Sequence, residues 1–296
     1  MVRALVTGSR GFVGGYLIRH LASSGDEVIE LPEGLDLRER GDVLRLFEEA
    51  VFDVCYHLAA ISHVGLSWEE PYLVYENNVL GTANLVEGLS RFHRNSRLLF
   101  ISSSEVYGRV PQDSLPVTEN AALMPATPYA ASKAAGEQIA LQAFFGSGVS
   151  TVVARSFNHT GVGQPASFVV PGIVSRLVEA KRSGRRSLRV GNVASRRDFS
   201  DVRDVVRAYR LIAERGRAGE AYNVASGKSL SISEIIDMAA AIVGVDVDLE
   251  VDPELLRPND VPEIVGSIEK IVADTGYLPR HDFHDTLAGM VGRLDG

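Results

Sequence analysis

A chain of 296 residues with 45% hydrophobic content can bury a sizeable core, as one large α/β domain or a domain with a smaller cap. Its formal net charge of −8 argues against a dedicated nucleic-acid binder, its single cysteine excludes an intramolecular disulfide, and no run of about 20 apolar residues is present to span a membrane. With no signal peptide either, a reducing cytoplasm is the expected compartment.

Arg3-Ala4-Leu5-Val6-Thr7 reads as a short buried strand. It runs into Gly8-Ser9-Arg10-Gly11-Phe12-Val13-Gly14, then into a helical pattern from Tyr16 to Ala22 that stops at Gly25. A glycine-rich turn between strand and helix is the setting in which G-x-x-G-x-x-G acquires meaning. Gly8 allows the tight turn, Gly11 lets backbone approach a pyrophosphate, and Gly14 lets helix pack closely on strand. The helix start then offers free N–H groups and a positive dipole end to phosphate. The next strand, Val28 to Leu31, ends at Pro32, where NAD binders usually carry an acid and NADP binders an arginine. Neither rule applies, so the choice between NAD and NADP stays open. Arg10 can meet a 2′-phosphate or be a solvated surface cation. Asp36 and Leu37 are placed near the adenine or in an ordinary loop.

Asp53 to Leu58 forms the third strand. Within it, Cys55 is expected as a buried small hydrophobe rather than a nucleophile. The strand ends in Leu58-Ala59-Ala60, small residues that leave room for a cofactor where ligands of open α/β sheets bind. A loop follows, in which His63 is more readily structural than a substrate contact and Trp68 is a packing anchor. Asn77 opens a helix reaching about Phe92, and Asn78 is expected to hydrogen-bond within the crossover near the lysine described next. Leu98 to Ile101 is a strongly apolar strand. It empties into Ser102-Ser103-Ser104-Glu105-Val106-Tyr107-Gly108. Ser103 can hold a carbonyl oxygen there, and Glu105 can act as a base or hold a sugar hydroxyl.

Pro128 then starts a helix carrying Tyr129-Ala130-Ala131-Ser132-Lys133. Residues four apart share a face, so phenol and ammonium can point into one cleft. A free tyrosine has a pKa of about 10, and a nearby lysine cation is expected to lower it. Such a tyrosine can give a proton to an oxygen that becomes an alcohol. Thr151 to Arg155 is a further strand of the parallel type. Beyond it, helical runs from Pro171 to Lys181 and from Asp201 to Glu214 flank a short strand, Ser187 to Val190. A capping box, Ser231-x-x-Glu234, starts the helix Ile235 to Val243. The strand Val247 to Val251 and a helix near His284 to Arg293 complete the chain.

Taken together, Gly8 to Gly14, Leu58-Ala59-Ala60, Asn78 to Thr82, Ser103 to Gly108 and Tyr129-x-x-x-Lys133 resemble the extended short-chain dehydrogenase/reductases that act on nucleotide sugars. The resemblance covers nearly the whole chain. Arg155 to Gln164, Phe168-Val169, Val190 to Asn192, Arg197 to Phe199 and Leu256 to Pro262 look like its GDP-sugar branch. That family implies a Rossmann-type doubly wound parallel sheet, with residues 1–165 and returning segments near 190–225 binding the dinucleotide. Residues 166–296 would mainly bind substrate. It implies a homodimer through the Asn78 and Tyr129 helices. As cofactor contacts it implies Gly8, Arg10, Gly11, Phe12, Val13, Gly14, Asp36, Leu37, Leu58, Ala59, Ala60, Asn78, Tyr129, Lys133 and Phe157. Catalysis would fall to Ser103, Glu105, Tyr129 and Lys133, with no metal. Ser104, Glu105, Asn158, Val169, Arg197, Arg257 and Asp260 would hold the GDP-sugar, Arg197 and Arg257 taking the diphosphate.

The activity so implied is NAD(P)H-dependent reduction of the 4-keto group of GDP-4-keto-6-deoxy-D-mannose to GDP-D-rhamnose. The short segment after the second strand and the run Tyr222 to Gly227 favour it. Ser62-His63-Val64 and Ser103-Ser104-Glu105 keep GDP-mannose 4,6-dehydration open as the alternative. Another nucleotide-sugar epimerase or dehydratase comes next. A non-catalytic dinucleotide sensor commonly lacks the tyrosine–lysine pair present here.

Overall fold

The structure is a computed structural model and describes residues 1–255 and 261–295. Its centre is a sheet of six parallel strands in the spatial order Glu27–Glu30, Arg3–Thr7, Val54–His57, Arg97–Ser103, Ser150–Ser156 and Ala221–Val224. Parallel strands need crossover connections, and those crossovers cover both faces with helices. The strand residues are therefore apolar on both sides. Leu5, Cys55, Leu98, Phe100 and Val153 pack with Phe47, Leu85, Leu89 and Ala140 from the helices Arg40–Glu49, Gly81–Phe92 and Pro128–Ser147. Val6, Tyr56, Leu99 and Val152 pack with Leu17, Leu21, Val205 and Tyr209 from the helices Phe12–Ser23 and Val202–Arg215 on the other face. Cys55 is free and fully buried, and burial pushes its thiol pKa up, as a core hydrophobe requires.

The chain leaves the first strand for one edge of the sheet and returns to the other side of that strand. The strand order reverses between Arg3–Thr7 and Val54–His57, which opens a crevice above their carboxyl ends. Register sets what lines it: Thr7 lies opposite His57, His57 opposite Phe100, and Ser103 opposite Ser156.

The rest of the chain builds a second core. Ile173, Val174 and Leu177 of the helix Val169–Ser183 meet Ile235 and Ile236 of Ile232–Val243 and Leu287 of Phe283–Asp295. The capping box is present in both halves: Ser231 Oγ accepts from Glu234 N at 3.0 Å, and Glu234 Oε2 accepts from Ser231 N at 2.7 Å.

Three local expectations need correction. The helix expected from Asn77 begins earlier, as Pro71–Tyr75, and runs through a π-helical turn at Glu76–Leu80 into Gly81–Phe92. The loop after Ala60 contains a short helix, Val64–Glu69, and Trp68 on it is 60% exposed rather than an anchor. A strand at Arg196–Asp201 escapes the sequence because it is charged. Its polar groups find tertiary partners: the buried Asp198 carboxylate accepts from Ser226 N and Oγ, Gly227 N and Gly266 N. Among the described residues no helix is long and apolar enough to cross a membrane, and no cluster of His, Cys, Asp or Glu can hold a metal ion.

Candidate active site

At the glycine turn each glycine has a distinct physical reason. Gly8 has a φ of +70°, and a Cβ there would sit 2.8 Å from the backbone nitrogen of Ala59. Gly14 lies so close that a Cβ would fall 2.2 Å from the Gly8 carbonyl oxygen. At Gly11 a Cβ would meet only that same oxygen, at 3.2 Å. The helix Phe12–Ser23 starts with no side-chain cap and no acidic residue in its first turn. Its leading N–H groups are thus left for a ligand, and the dipole favours an anion. A dinucleotide pyrophosphate fits this cradle; Gly8 and Gly14 keep the backbone around it tight, and at Gly11 the approach is left open.

The outer residues of the expected cofactor set behave differently from one another. Arg10 Nη1 donates to Glu33 Oε1 at 3.0 Å, with both side chains well exposed. Asp36 turns both carboxylate oxygens onto Arg38, which holds its pKa below the ordinary value. The side chain of Leu37 is in the core, and its carbonyl accepts from Asn84 at 2.9 Å. The Phe157 ring is likewise buried, against Tyr107 and Ala225. Phe12 and Val13 open the helix, and Leu58, Ala59 and Ala60 follow the third strand at the crevice floor, all half-buried.

Asn78 sits in the π-helical turn, a feature common at functional sites. Its amide oxygen accepts from Ile61 N at 2.8 Å, and its amide nitrogen donates to Ile61 O at 3.1 Å and to Ser132 Oγ at 2.9 Å. Both donors are therefore used inside the protein, and Asn78 positions the crevice floor against the Tyr129 helix.

The candidate catalytic residues lie where the Arg97–Ser103 strand ends and the helix Pro128–Ser147 begins. Thr127 caps that helix, accepting from Ala130 N at 3.0 Å. Ser103, only 8% exposed, lies close enough to the Tyr129 phenol to favour its ionisation, and the Glu105 carboxylate lies near enough to oppose it electrostatically. Ser103 Oγ also accepts from Glu105 N at 3.3 Å, and Ser104 is buried beside it. Lys133 is buried, with Nζ 4.8 Å from the centroid of the Phe100 ring. Burial lowers its pKa to about 8, against the nearby Glu137 carboxylate, which raises it. One expectation fails here. Burial pushes the Tyr129 pKa up to about 12, Ser103 opposes that shift and Glu105 adds to it. The desolvation of the phenolate outweighs any help from Lys133, so the tyrosine is held as a protonated phenol.

Sequence reasoning missed the support behind Lys133. Glu137, one turn further along, is fully buried and pairs with Arg155 at 2.5 Å. Arg155 also donates to Tyr107 Oη at 3.0 Å and Glu119 O at 2.9 Å. The i+4 spacing from Lys133 to Glu137 was the available signal. On the substrate side, Asn158 begins a strand opposite Phe199, and Val169, 46% exposed, opens its helix. Arg197 donates to Arg196 O at 2.9 Å and to Val261 O at 2.6 Å. His63 accepts from Leu66 N at 3.0 Å as a helix cap and lies edge-on to Phe168. Arg257 and Asp260 lie outside the described residues.

Comparison with known proteins agrees with this arrangement. Residues 32–290 match the family described as GDP-mannose 4,6 dehydratase. The chain is 34% identical to a GDP-6-deoxy-D-mannose reductase of Pseudomonas aeruginosa, over 98% of this chain and 96% of the relative. Among solved structures, RMD from Pseudomonas aeruginosa complexed with NADPH superposes with a TM-score of 0.91 at 34% identity, covering 99% of this chain and 98% of the other. A UDP-glucose 4-epimerase of Thermus thermophilus in complex with NAD gives a TM-score of 0.88 at 29% identity, covering 99% of each chain. These matches bear out the resemblance drawn from the motifs: the chain belongs to the GDP-mannose 4,6 dehydratase family.

Proposed function

We propose that the protein reduces the 4-keto group of GDP-4-keto-6-deoxy-D-mannose to GDP-D-rhamnose with NADPH. The observation that carries this reading is the similarity, end to end, to a GDP-6-deoxy-D-mannose reductase and to a structure complexed with NADPH. When bound, the reduced nicotinamide supplies a hydride to C4 of the sugar.

The protein's own residues handle the oxygen. A ketone becoming an alkoxide needs a proton donor, and a phenol held protonated by burial is suited to that role. Tyr129 gives its proton to O4, while Ser103, close to the phenol, steadies the negative charge that develops there. Lys133, a cation at neutral pH beside Glu137, offsets the phenolate that remains. Glu105 and Asn158 orient the sugar, with Ser104 and Val169 at its edge. Arg197 and Arg257 take the diphosphate and Asp260 completes that set. Residues 166–296 supply most of this substrate side, and residues 1–165 with segments near 190–225 the dinucleotide side.

The protein acts as a cytoplasmic homodimer in this reading. Tyr72 (78% exposed), Leu80 (53%) and Phe145 (75%) leave apolar surface on the two helices expected to pair. Gel filtration showing only monomer contradicts the dimer. A second reading, GDP-mannose 4,6-dehydratase, is favoured by the family match and by Glu105 beside Tyr129. Two incubations separate them. Cofactor oxidation with the keto sugar marks the reductase, and a 4-keto product from GDP-mannose without added reductant marks the dehydratase.

A further inference from the structure

Five buried polar side chains run in a line behind the crevice: Thr7, His57, Thr82, Asn78 and Ser132, none more than 3% exposed. Thr7 Oγ1 lies 2.8 Å from His57 Nδ1, and His57 Nε2 lies 3.0 Å from Thr82 Oγ1. The direction of each hydrogen bond follows from the ends. Ser132 Oγ donates to the Tyr129 carbonyl at 2.7 Å, so it accepts from Asn78 Nδ2. Thr82 uses its one proton on the Asn78 carbonyl at 2.6 Å. The proton between Thr82 and His57 must then sit on Nε2. A neutral ring protonated at Nε2 accepts at Nδ1, so Thr7 donates to it. The Thr7 oxygen in turn accepts from Ala59 N at 3.1 Å. One placement of protons satisfies every group in the line.

We propose that His57, as the neutral Nε2–H tautomer, is a positioning residue that ties the cofactor wall at Thr7, Gly8 and Ala59 to the first turn of the Tyr129 helix. The line ends on a backbone amide and a backbone carbonyl, neither of which titrates. It therefore carries no proton to the phenol and acts by fixing distances. Imidazole suits the central place because its neutral form accepts on one side and donates on the other. Charging it would put a second donor against Thr7 and leave the Thr7 proton without its acceptor.

The surroundings hold it neutral. Burial, together with the ammonium of Lys133 on the helix packed over this face, lowers the His57 pKa to about 3. Phe100 packs against both: the Lys133 Nζ lies 4.8 Å from its centroid, and the His57 ring 5.8 Å. Buried polar lines of this kind specify one geometry only when every member is satisfied.

The functional consequence rests on the NADPH reading above, whereas the tautomer does not. The test therefore has two arms on the intact protein. Ring-nitrogen NMR, with His57 assigned by the signals lost in His57→Gln, is expected to show an Nε2–H tautomer that does not titrate between about pH 5 and 8. An Nδ1–H ring, or a midpoint inside that range, overturns the proposal even if every substitution proves unfoldable.

The second arm measures NADPH affinity by nicotinamide fluorescence on variants checked for folding by thermal melting. His57→Gln, which keeps one acceptor and one donor, is expected to stay within about threefold of the parent, and His57→Leu to bind about tenfold more weakly, roughly 1.4 kcal/mol. A folded His57→Leu variant with unchanged affinity, or a His57→Gln variant as weak as His57→Leu, overturns it. A parent protein that binds no NADPH sinks the cofactor reading instead and leaves the NMR arm to decide the line.

Discussion

The Ser103 hydroxyl lies close enough to the Tyr129 phenol to favour its ionisation, across the gap between a strand end and a helix start. It is the contact that moves the phenol toward ionisation, while burial and Glu105 move it the other way. Ser103→Ala removes this contact and, in the proposed mechanism, the group that steadies the developing alkoxide. Loss of one such donor costs about 10²–10³ in turnover. Steady-state kinetics should show kcat falling by that much with NADPH affinity little changed.

Lys133 carries a measurable stability cost. Its pKa falls from 10.5 free to about 8 in the fold. Between those values the unfolded chain holds more protons than the folded one, so this group makes stability rise with pH across that window. Below pH 8 the full penalty of burying the cation is present, on the order of 3 kcal/mol. Lys133→Met is therefore expected to melt above the parent at neutral pH, with the gap closing as the pH approaches 10, and to lose most of its turnover. Melting curves at several pH values read both signs.

Glu137 and Arg155 form a buried ion pair directly behind Lys133. Removing one partner of such a pair costs about 3–5 kcal/mol, because the other charge is left buried and unpaired. Glu137→Gln should lower the urea midpoint accordingly. It should also lower the Lys133 pKa further, since Glu137 is the group that raises it.

Two of the three glycines of the turn, Gly11 and Gly14, should respond unequally. Gly14→Ala places a Cβ against the Gly8 carbonyl oxygen at 2.2 Å, where Gly11→Ala meets it only at 3.2 Å. Overpacking a tight contact costs about 1–3 kcal/mol. Gly14→Ala should lose stability by that amount, whereas Gly11→Ala should stay near the parent and lose mainly cofactor affinity. Denaturant melts and fluorescence titration separate the two effects.

Much of this was legible in the chain. The glycine turn, the apolar strands and the Tyr129–Lys133 face follow from local pattern, because parallel strands buried on both sides read as continuous apolar runs. What was hidden is set by tertiary contact. Arg196–Asp201 is a strand despite its charges because Asp198 and Asp201 find partners far away in sequence. Trp68 has the residue type of an anchor, yet its side chain is on the exposed face of its helix. Leu37 and Phe157 are in cofactor-like stretches, but their side chains complete two cores. The acidity of Tyr129 was misjudged because spacing reveals the lysine and not the depth of burial around the phenol.

The most direct test is to supply GDP-4-keto-6-deoxy-D-mannose and NADPH to the protein and to its Tyr129→Phe variant and follow the nicotinamide absorbance. The parent should oxidise NADPH only when the keto sugar is present, and the variant should bind NADPH normally yet turn over negligibly. Undiminished turnover without the phenol, or no oxidation by the parent, contradicts the account.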